Sequence, residues 1–155
     1  MTVIDIGTLT PVKDMSGEDA EDTDLLRASL EEARIFLSSF GWCHAIKEIY
    51  FGLGVGGIVS VFLFHIDRIP PADEWIWVVT GDMPSSYLVT DAAHTPVAAL
   101  ERYCDLMEDW ATAVRGGRSL TGLFPVAAHA TQENADSLSK RIEFLRKEII
   151  PAYNV

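Results

Sequence analysis

The most apolar part of the chain is a run of eighteen residues, Ile49–Ile66, that carries no formal charge. Four glycines interrupt its centre, and β-branched and aromatic residues flank them on both sides. Each glycine disfavours a helix by up to about 1 kcal/mol, and the flanking residues favour strands. The pattern therefore predicts two strands joined by a glycine turn. The alternative is a membrane-spanning helix, for which the run is just long enough.

The second strand of this predicted hairpin, Ile58–Ile66, is apolar on both faces. One face carries Ile58, Ser60, Phe62, Phe64 and Ile66, and the other carries Val59, Val61, Leu63 and His65. Such a strand lies in the centre of a sheet that is covered on both sides, or it leaves one apolar face for a partner. The sequence predicts the central position and leaves the covering of the second face open.

Two later segments also have the pattern of strands. Glu74–Thr80 predicts a third strand, and Ser85–Val89 predicts a fourth strand or an irregular segment. The short connections between these segments favour an antiparallel meander. At the N-terminus, Val3, Ile4 and Ile6 indicate a short edge strand.

Three segments repeat apolar residues with the helical period. They cover about residues 25–40, 95–115 and 131–150. Thr23 or Asp24 is the expected cap of the first helix, and Thr95 and Thr131 are the expected starts of the others. Pro151 is expected to end the last helix. We therefore predict an α+β fold, with a three- to four-stranded antiparallel sheet packed with three main helices.

Length and composition indicate one domain over residues 1–155, because 48% hydrophobic residues suffice for a core. The net charge of −11 excludes the basic face of a nucleic-acid binder and permits steering towards a basic protein. Residues 1–24 contain seven acidic residues and one lysine, and we expect this acidic segment to pack loosely.

Two groups of acidic side chains are candidate contacts for a basic partner. One group precedes the first helix, and the other lies on the outer side of the second helix. They are Glu18, Asp19, Glu21 and Asp22 in the first group, and Glu101, Asp105, Glu108 and Asp109 in the second. The structural alternative is that the first group complements a helix dipole and that the second is a solvated helix face.

Aromatic rings on or beside the predicted sheet are candidate anchors for the same partner. They are Trp42, Trp75, Trp77 and Tyr87. Tryptophan and tyrosine dominate the energetics of protein interfaces, so rings beyond the need of the core indicate a binding platform. The alternative is that helices cover both faces of the sheet and bury them.

No complete catalytic or metal-binding signature is present. The four histidines stand apart, and Cys43 and Cys104 have no metal-ligand spacing, so we expect no metal and no cofactor. Without a recognisable signal peptide, we expect reduced thiols and a cytoplasmic protein. Asp82 follows the third strand and is a candidate turn residue or site carboxylate.

Three features of residues 75–155 occur together. They are a Gly-Asp-x-Pro-x-x-Tyr-Leu turn that begins at Gly81, a Tyr-x-x-x-Met-x-x-Trp helix that begins at Tyr103, and a closing helix that begins at Thr131. In these features the chain resembles a family of small uncharacterised bacterial proteins. The resemblance implies no activity. By size and charge the chain is also similar to immunity proteins, and this analogy implies a toxin as the basic partner.

We therefore expect a non-enzymatic, cytoplasmic protein that neutralises a basic protein partner, such as a toxin domain, by occlusion. Neither nucleic acid nor a membrane is an expected partner. One alternative is a small enzyme or ligand-binding domain with a pocket near Asp82, Tyr87 and a histidine. Another alternative is a homodimeric structural subunit that pairs through an uncovered face of the sheet.

Overall fold

The fold is built on an antiparallel sheet of five strands, in a computed structural model that describes residues 4–154. The strand order is the sequence order, so the sheet is a meander as the short connections predict. The strands are β1 (Thr10–Pro11), β2 (Cys43–Val55), β3 (Val59–Arg68), β4 (Trp75–Gly81) and β5 (Met83–Val89).

Helices cover both faces of this sheet. They are α1 (Ala20–Ser38), α2 (Pro96–Arg115), α3 (Gln132–Phe144) and the short α4 (Ile150–Tyr153), with a π-helical turn at Leu145–Ile149. Helix α1 packs on one face, and α2 packs on the other with α3 beside it. The fold class is therefore α+β, as predicted.

The two faces of β3 separate as the sequence predicts. Phe62, Phe64 and Ile66 pack with residues of α1, whereas Val61 and Leu63 pack with residues of α2. All five side chains are completely buried. The central position of β3 is thus confirmed, and neither face of the strand is left bare for a second subunit.

The glycine run forms the turn between β2 and β3. Gly57 has a φ of +79°, and the N–H of Ile58 donates to the carbonyl oxygen of Val55 at 3.0 Å. A positive φ strains most residues but not glycine, which explains a glycine at this position. The hairpin is confirmed and the helical alternative is wrong for this segment. Among the helices of residues 4–154, none is long and apolar enough to cross a bilayer.

The predicted number of three or four strands was too low, because it did not include the N-terminal strand β1. Thr10 pairs with Phe51, and Pro11 pairs with Tyr50. The predicted edge strand was misplaced: Ile6 lies in a 3₁₀ turn, and Val3 lies outside the described residues. A two-residue strand has no periodic pattern, so the sequence could not indicate it.

Two side chains of the acidic segment before α1 pack in the core of the molecule. Leu9 is buried in the core on the α2 side, and Met15, which is 2% exposed, is buried in the core on the α1 side. The guanidinium of Arg27 donates to the carbonyl oxygen of Met15 at 3.3 Å. These contacts fix the chain as it enters α1.

The caps of α2 and α3 are confirmed, but the cap of α1 was placed too late. Thr95 and Thr131 each accept a backbone N–H at 3.1 Å, as N-cap residues do. Helix α1 begins earlier, where Asp19 accepts the N–H of Asp22 at 2.8 Å. The apolar period starts only at Leu25, so it did not reveal the polar first turns.

The last helix does not end at Pro151 as predicted. The π-helical turn interrupts it first, and Pro151 lies in the opening turn of α4. Proline has no N–H, and its ring collides with a carbonyl group one turn earlier in a regular helix. The first turn of a helix needs no such N–H, so the chain continues to Tyr153.

Replacing Ser60 by Ala is expected to raise the free energy of unfolding by about 1 kcal/mol. The Ser60 hydroxyl is buried and has no hydrogen-bond partner within residues 4–154. A buried unpaired hydroxyl is destabilising by about 1–3 kcal/mol. Denaturant titration measures the change. Ser16→Ala, at an exposed site, is the control and is expected to have no effect. A loss of stability in Ser60→Ala would show that the hydroxyl has a partner.

Candidate binding surfaces

The first acidic group surrounds the N-terminus of α1, next to the turn between β2 and β3. Asp22 accepts the N–H of Gly56 at 2.7 Å with one carboxylate oxygen and the N–H of Glu18 at 2.9 Å with the other. Asp19 is the N-cap of α1. Asp19 and Asp22 are therefore structural residues. The carboxylates of Glu18 and Glu21 are exposed and face solvent.

Two apolar side chains border these carboxylates. Leu25 and Tyr153 are 41% and 40% exposed, and the Tyr153 hydroxyl donates to the carbonyl oxygen of Gly54 at 3.2 Å. Burial raises the pKa of Tyr153, and the nearby carboxylates of Asp22 and Glu18 raise it further. We call the surface formed by Glu18, Glu21, Leu25 and Tyr153 the acidic end.

The second acidic group, on α2, is partly neutralised within the molecule. The guanidinium of Arg146 donates to Asp105 at 2.8 Å and pairs with Glu108. Glu101 and Asp109 remain exposed on the same helix. The α2 surface therefore presents less free negative charge than its sequence indicates.

The prediction of Trp77 as an aromatic anchor is wrong, because its side chain is completely buried. Its indole N–H donates to the carbonyl oxygen of Ala93 at 2.9 Å, so its polar atom is also satisfied inside the molecule. Trp75 is partly exposed at the end of β4, where its ring stacks on His65 at a centroid distance of 4.1 Å. Trp77 belongs to the core, and Trp75 is held by an internal partner.

Trp42 and Tyr87 lie together in a cleft near the C-terminal end of α1. Their ring centroids are 5.1 Å apart with the planes at 79°. The cleft has a volume of about 450 Å³, and the loop between β3 and β4 forms its other wall, with Pro70, Pro71 and Asp73. These two predicted anchors are therefore available to a ligand.

Asp82 and Tyr87 do not share a pocket. Asp82 is mostly exposed and accepts a hydrogen bond from Arg141 at 3.1 Å. It borders a cavity of about 260 Å³ with Met83, Lys140 and Phe144, and neither Tyr87 nor a histidine lines that cavity. The side chains of the predicted enzyme pocket are therefore not brought together in the described part of the chain.

The cysteines and histidines of residues 4–154 are not assembled into a metal site. No group of three or more His, Cys, Asp or Glu side chains in this range could hold a metal ion. Burial raises the pKa of Cys104 to about 12 and also raises the pKa of the partly buried Cys43. A raised pKa lowers the thiolate fraction at neutral pH, which makes both thiols poor nucleophiles.

At pH 8 we expect a disulfide reagent to modify Cys43 slowly and Cys104 only after denaturation. Cys104 is buried with its pKa near 12, so almost none of it is thiolate at this pH. Thiol titration before and after denaturation gives the number of reactive cysteines in each state. Cys43→Ser should abolish the reaction of the folded protein. Rapid modification of both thiols in the folded protein would contradict this assignment.

Sequence reasoning missed Tyr153, Leu25 and Asp73. Tyr153 lies beyond the predicted end of the last helix, and Leu25 was predicted only as the approximate start of the first helix, although its side chain is exposed. Asp73 is a single acid in a proline-containing loop. No local signal distinguishes any of them, because each acquires its neighbours only through the fold.

No protein-family model, curated protein or solved structure matches this chain. The resemblance of residues 75–155 to small bacterial proteins therefore stays a prediction.

Proposed function

We propose that this chain is a binding protein that occludes a basic surface of another protein, such as a toxin domain, and that the acidic end makes the contact. The supporting observation is the unequal neutralisation of the two acidic groups. Arg146 pairs with two carboxylates of α2, whereas none of the ion pairs within residues 4–154 involves an acid before Leu25. The acidic residues around the start of α1 therefore keep their negative charge free for a partner.

The acidic end has the parts that an electrostatically guided interface needs. Unpaired carboxylates attract a basic surface over several ångströms and exclude acidic proteins. Tyr153 and Leu25 supply exposed apolar area beside them, and a tyrosine ring is a common energetic centre of an interface. The two hydrogen bonds of Asp22 hold the helix start and the hairpin turn together, which keeps the surface preorganised.

Occlusion is consistent with the chemistry of this surface. A bound protein loses access to whatever its basic face contacts, and the acidic chain needs no nucleophile, metal or proton-transfer group for that effect. Cys104 and Cys43, the two thiols, have raised pKa values and lie outside the acidic end.

The proposal is tested by binding measurements with basic toxin domains, beginning with any encoded beside the gene of this chain. Glu18→Lys/Glu21→Lys is expected to weaken binding by about 100-fold, because two attractive contacts become repulsive. The control variant Glu32→Lys/Glu133→Lys changes the net charge equally at exposed sites elsewhere. It is expected to weaken binding by less than about threefold.

Co-expression gives the matching functional result. The wild-type chain and the control variant should protect cells from the toxin domain, and the variant of the acidic end should not. Equal weakening by both double variants would mean that net charge alone matters. Failure to bind any basic protein with a Kd below about 1 μM would refute the proposal.

A further inference from the structure

The cleft beside Trp42 is lined almost entirely by apolar and aromatic groups. Trp42 and Tyr87 form one wall, and Pro70 and Pro71 contribute to the opposite wall. Phe40 stacks on Trp42 at a centroid distance of 5.1 Å and an interplanar angle of 22°, so it supports one face of the indole. Ring packing therefore holds the aromatic wall in place before a ligand arrives.

Exposed apolar residues border the opening of the cleft. Ile69 and Val89 are 52% and 43% exposed, and both belong to its lining. The volume of about 450 Å³ lies within the usual range of small-ligand and side-chain pockets, which is about 300–1,000 Å³.

Three polar groups belong to residues that line the cleft. In residues 4–154 no hydrogen bond or ion pair involves the carboxylate of Asp73, the hydroxyl of Tyr87 or the indole N–H of Trp42. The buried indole of Trp77, by contrast, donates its N–H to a carbonyl oxygen, as the polar atoms of buried rings usually do. A few unpaired polar groups in an apolar cleft are typical of a binding site.

We propose that this cleft binds the guanidinium group of an arginine side chain presented by another protein. The faces of tryptophan and tyrosine rings attract cations, and a planar guanidinium stacks on them. The carboxylate of Asp73 can accept two N–H groups of the same guanidinium. Pro70 and Pro71 have no backbone N–H, so these two residues present no backbone donor to repel a cation.

The overall charge of the chain favours the same occupant, because a net charge of −11 attracts cationic ligands and repels acidic ones. The cleft is separate from the acidic end. It adjoins Gly41, after the C-terminus of α1, whereas the acidic end surrounds the N-terminus of that helix. A helix of 19 residues is about 28 Å long, so the two sites do not overlap. The arginine site therefore does not depend on the proposed function of the acidic end.

The test is an NMR titration of the full chain with the peptide acetyl-Gly-Arg-Gly-amide. The indole N–H resonance of Trp42, assigned with Trp42→Phe, is expected to shift and saturate with a Kd on the order of 1 mM. The matched peptide replaces arginine by citrulline, which keeps the shape and removes the charge. It is expected to bind at least about tenfold more weakly. A lysine peptide is also expected to bind more weakly, because it lacks the planar group.

Two variants locate the site. Asp73 lies in an exposed loop, so Asp73→Asn should not affect folding. The substitution is expected to weaken binding of the arginine peptide by about tenfold. Glu18→Lys/Glu21→Lys is expected to leave this binding unchanged, so failure of the acidic-end proposal and failure of this one give different results. Equal binding of the citrulline peptide, an unchanged Kd in Asp73→Asn, or shifts only at the acidic end would each overturn the proposal.

Discussion

Replacing Trp77 by Ala is expected to lower the free energy of unfolding by about 3–5 kcal/mol, the usual range for a large buried side chain. Trp77 is completely buried in β4 between Leu63 of β3 and Leu88 of β5. The substitution leaves a cavity under α2 and also removes the donor to the carbonyl oxygen of Ala93. Denaturant titration followed by circular dichroism measures the loss.

Trp75→Ala is the matched control for this prediction. Trp75 lies on the same strand and the same face, but it is partly exposed and its main ring contact is His65. An aromatic pair contributes about 0.5–1.5 kcal/mol, so we expect a loss of about 1 kcal/mol. Trp77→Phe keeps a ring in the core, so its loss of free energy of unfolding is expected to lie between those of Trp75→Ala and Trp77→Ala. Equal losses in Trp75→Ala and Trp77→Ala would contradict the assignment of Trp77 to the core.

Replacing Asp22 by Ala is expected to lower the free energy of unfolding by about 2–3 kcal/mol, because its carboxylate accepts two backbone N–H groups. Without it, the N–H of Gly56 loses its acceptor, and the hairpin turn loses its bond to α1. Asp22→Asn keeps one amide oxygen as an acceptor and should lose less. Thermal and denaturant unfolding of the wild-type chain, Asp22→Asn and Asp22→Ala measure the order of their stabilities.

Glu21→Ala is the control for Asp22→Ala. The two residues are adjacent and carry the same charge, but Glu21 is exposed, and the hydrogen bond to the hairpin within residues 4–154 comes from Asp22. We expect its loss to stay within about 0.5 kcal/mol, as for most surface substitutions. Similar losses at both positions would mean that the acidity of the helix start matters and that the hydrogen bonds of Asp22 do not. The pair therefore separates structural from free carboxylates within one acidic segment.

The parts of the fold that the sequence predicts are those that depend on neighbouring residues. The glycine turn at Gly57 and the capping of α2 by Thr95 follow from local backbone chemistry. The two apolar faces of β3 follow from the alternation of side chains along a strand. These features carry their signal within a few residues, so they could be predicted before the fold was known.

The features that the sequence missed depend on distant parts of the chain. Strand β1 is recognisable only through its pairing with Tyr50 and Phe51. Trp77 and Trp75 alternate identically in the sequence, and only the position of α2 buries one of them more than the other. Their different exposure could not be predicted from the strand alone.

The same limit applies to the candidate sites. Composition indicated both acidic groups, but it could not show that Arg146 neutralises Asp105, which lies 41 residues earlier. Nor could it show that Asp22 bonds to Gly56, which lies 34 residues later. Trp42 and Tyr87 were predicted as anchors, whereas the contribution of Asp73 to their cleft depends on the path of the loop between β3 and β4.

The claim that the acidic end is the contact surface is tested most directly by hydrogen exchange of the chain alone and in complex with a basic toxin domain. We predict slower exchange of backbone amides in residues 17–25, 54–58 and 150–154, which surround Glu18, Glu21 and Tyr153, and unchanged exchange on the outer face of α2 and α3. Slower exchange confined to α2 and α3, with residues 17–25 unchanged, would contradict the claim.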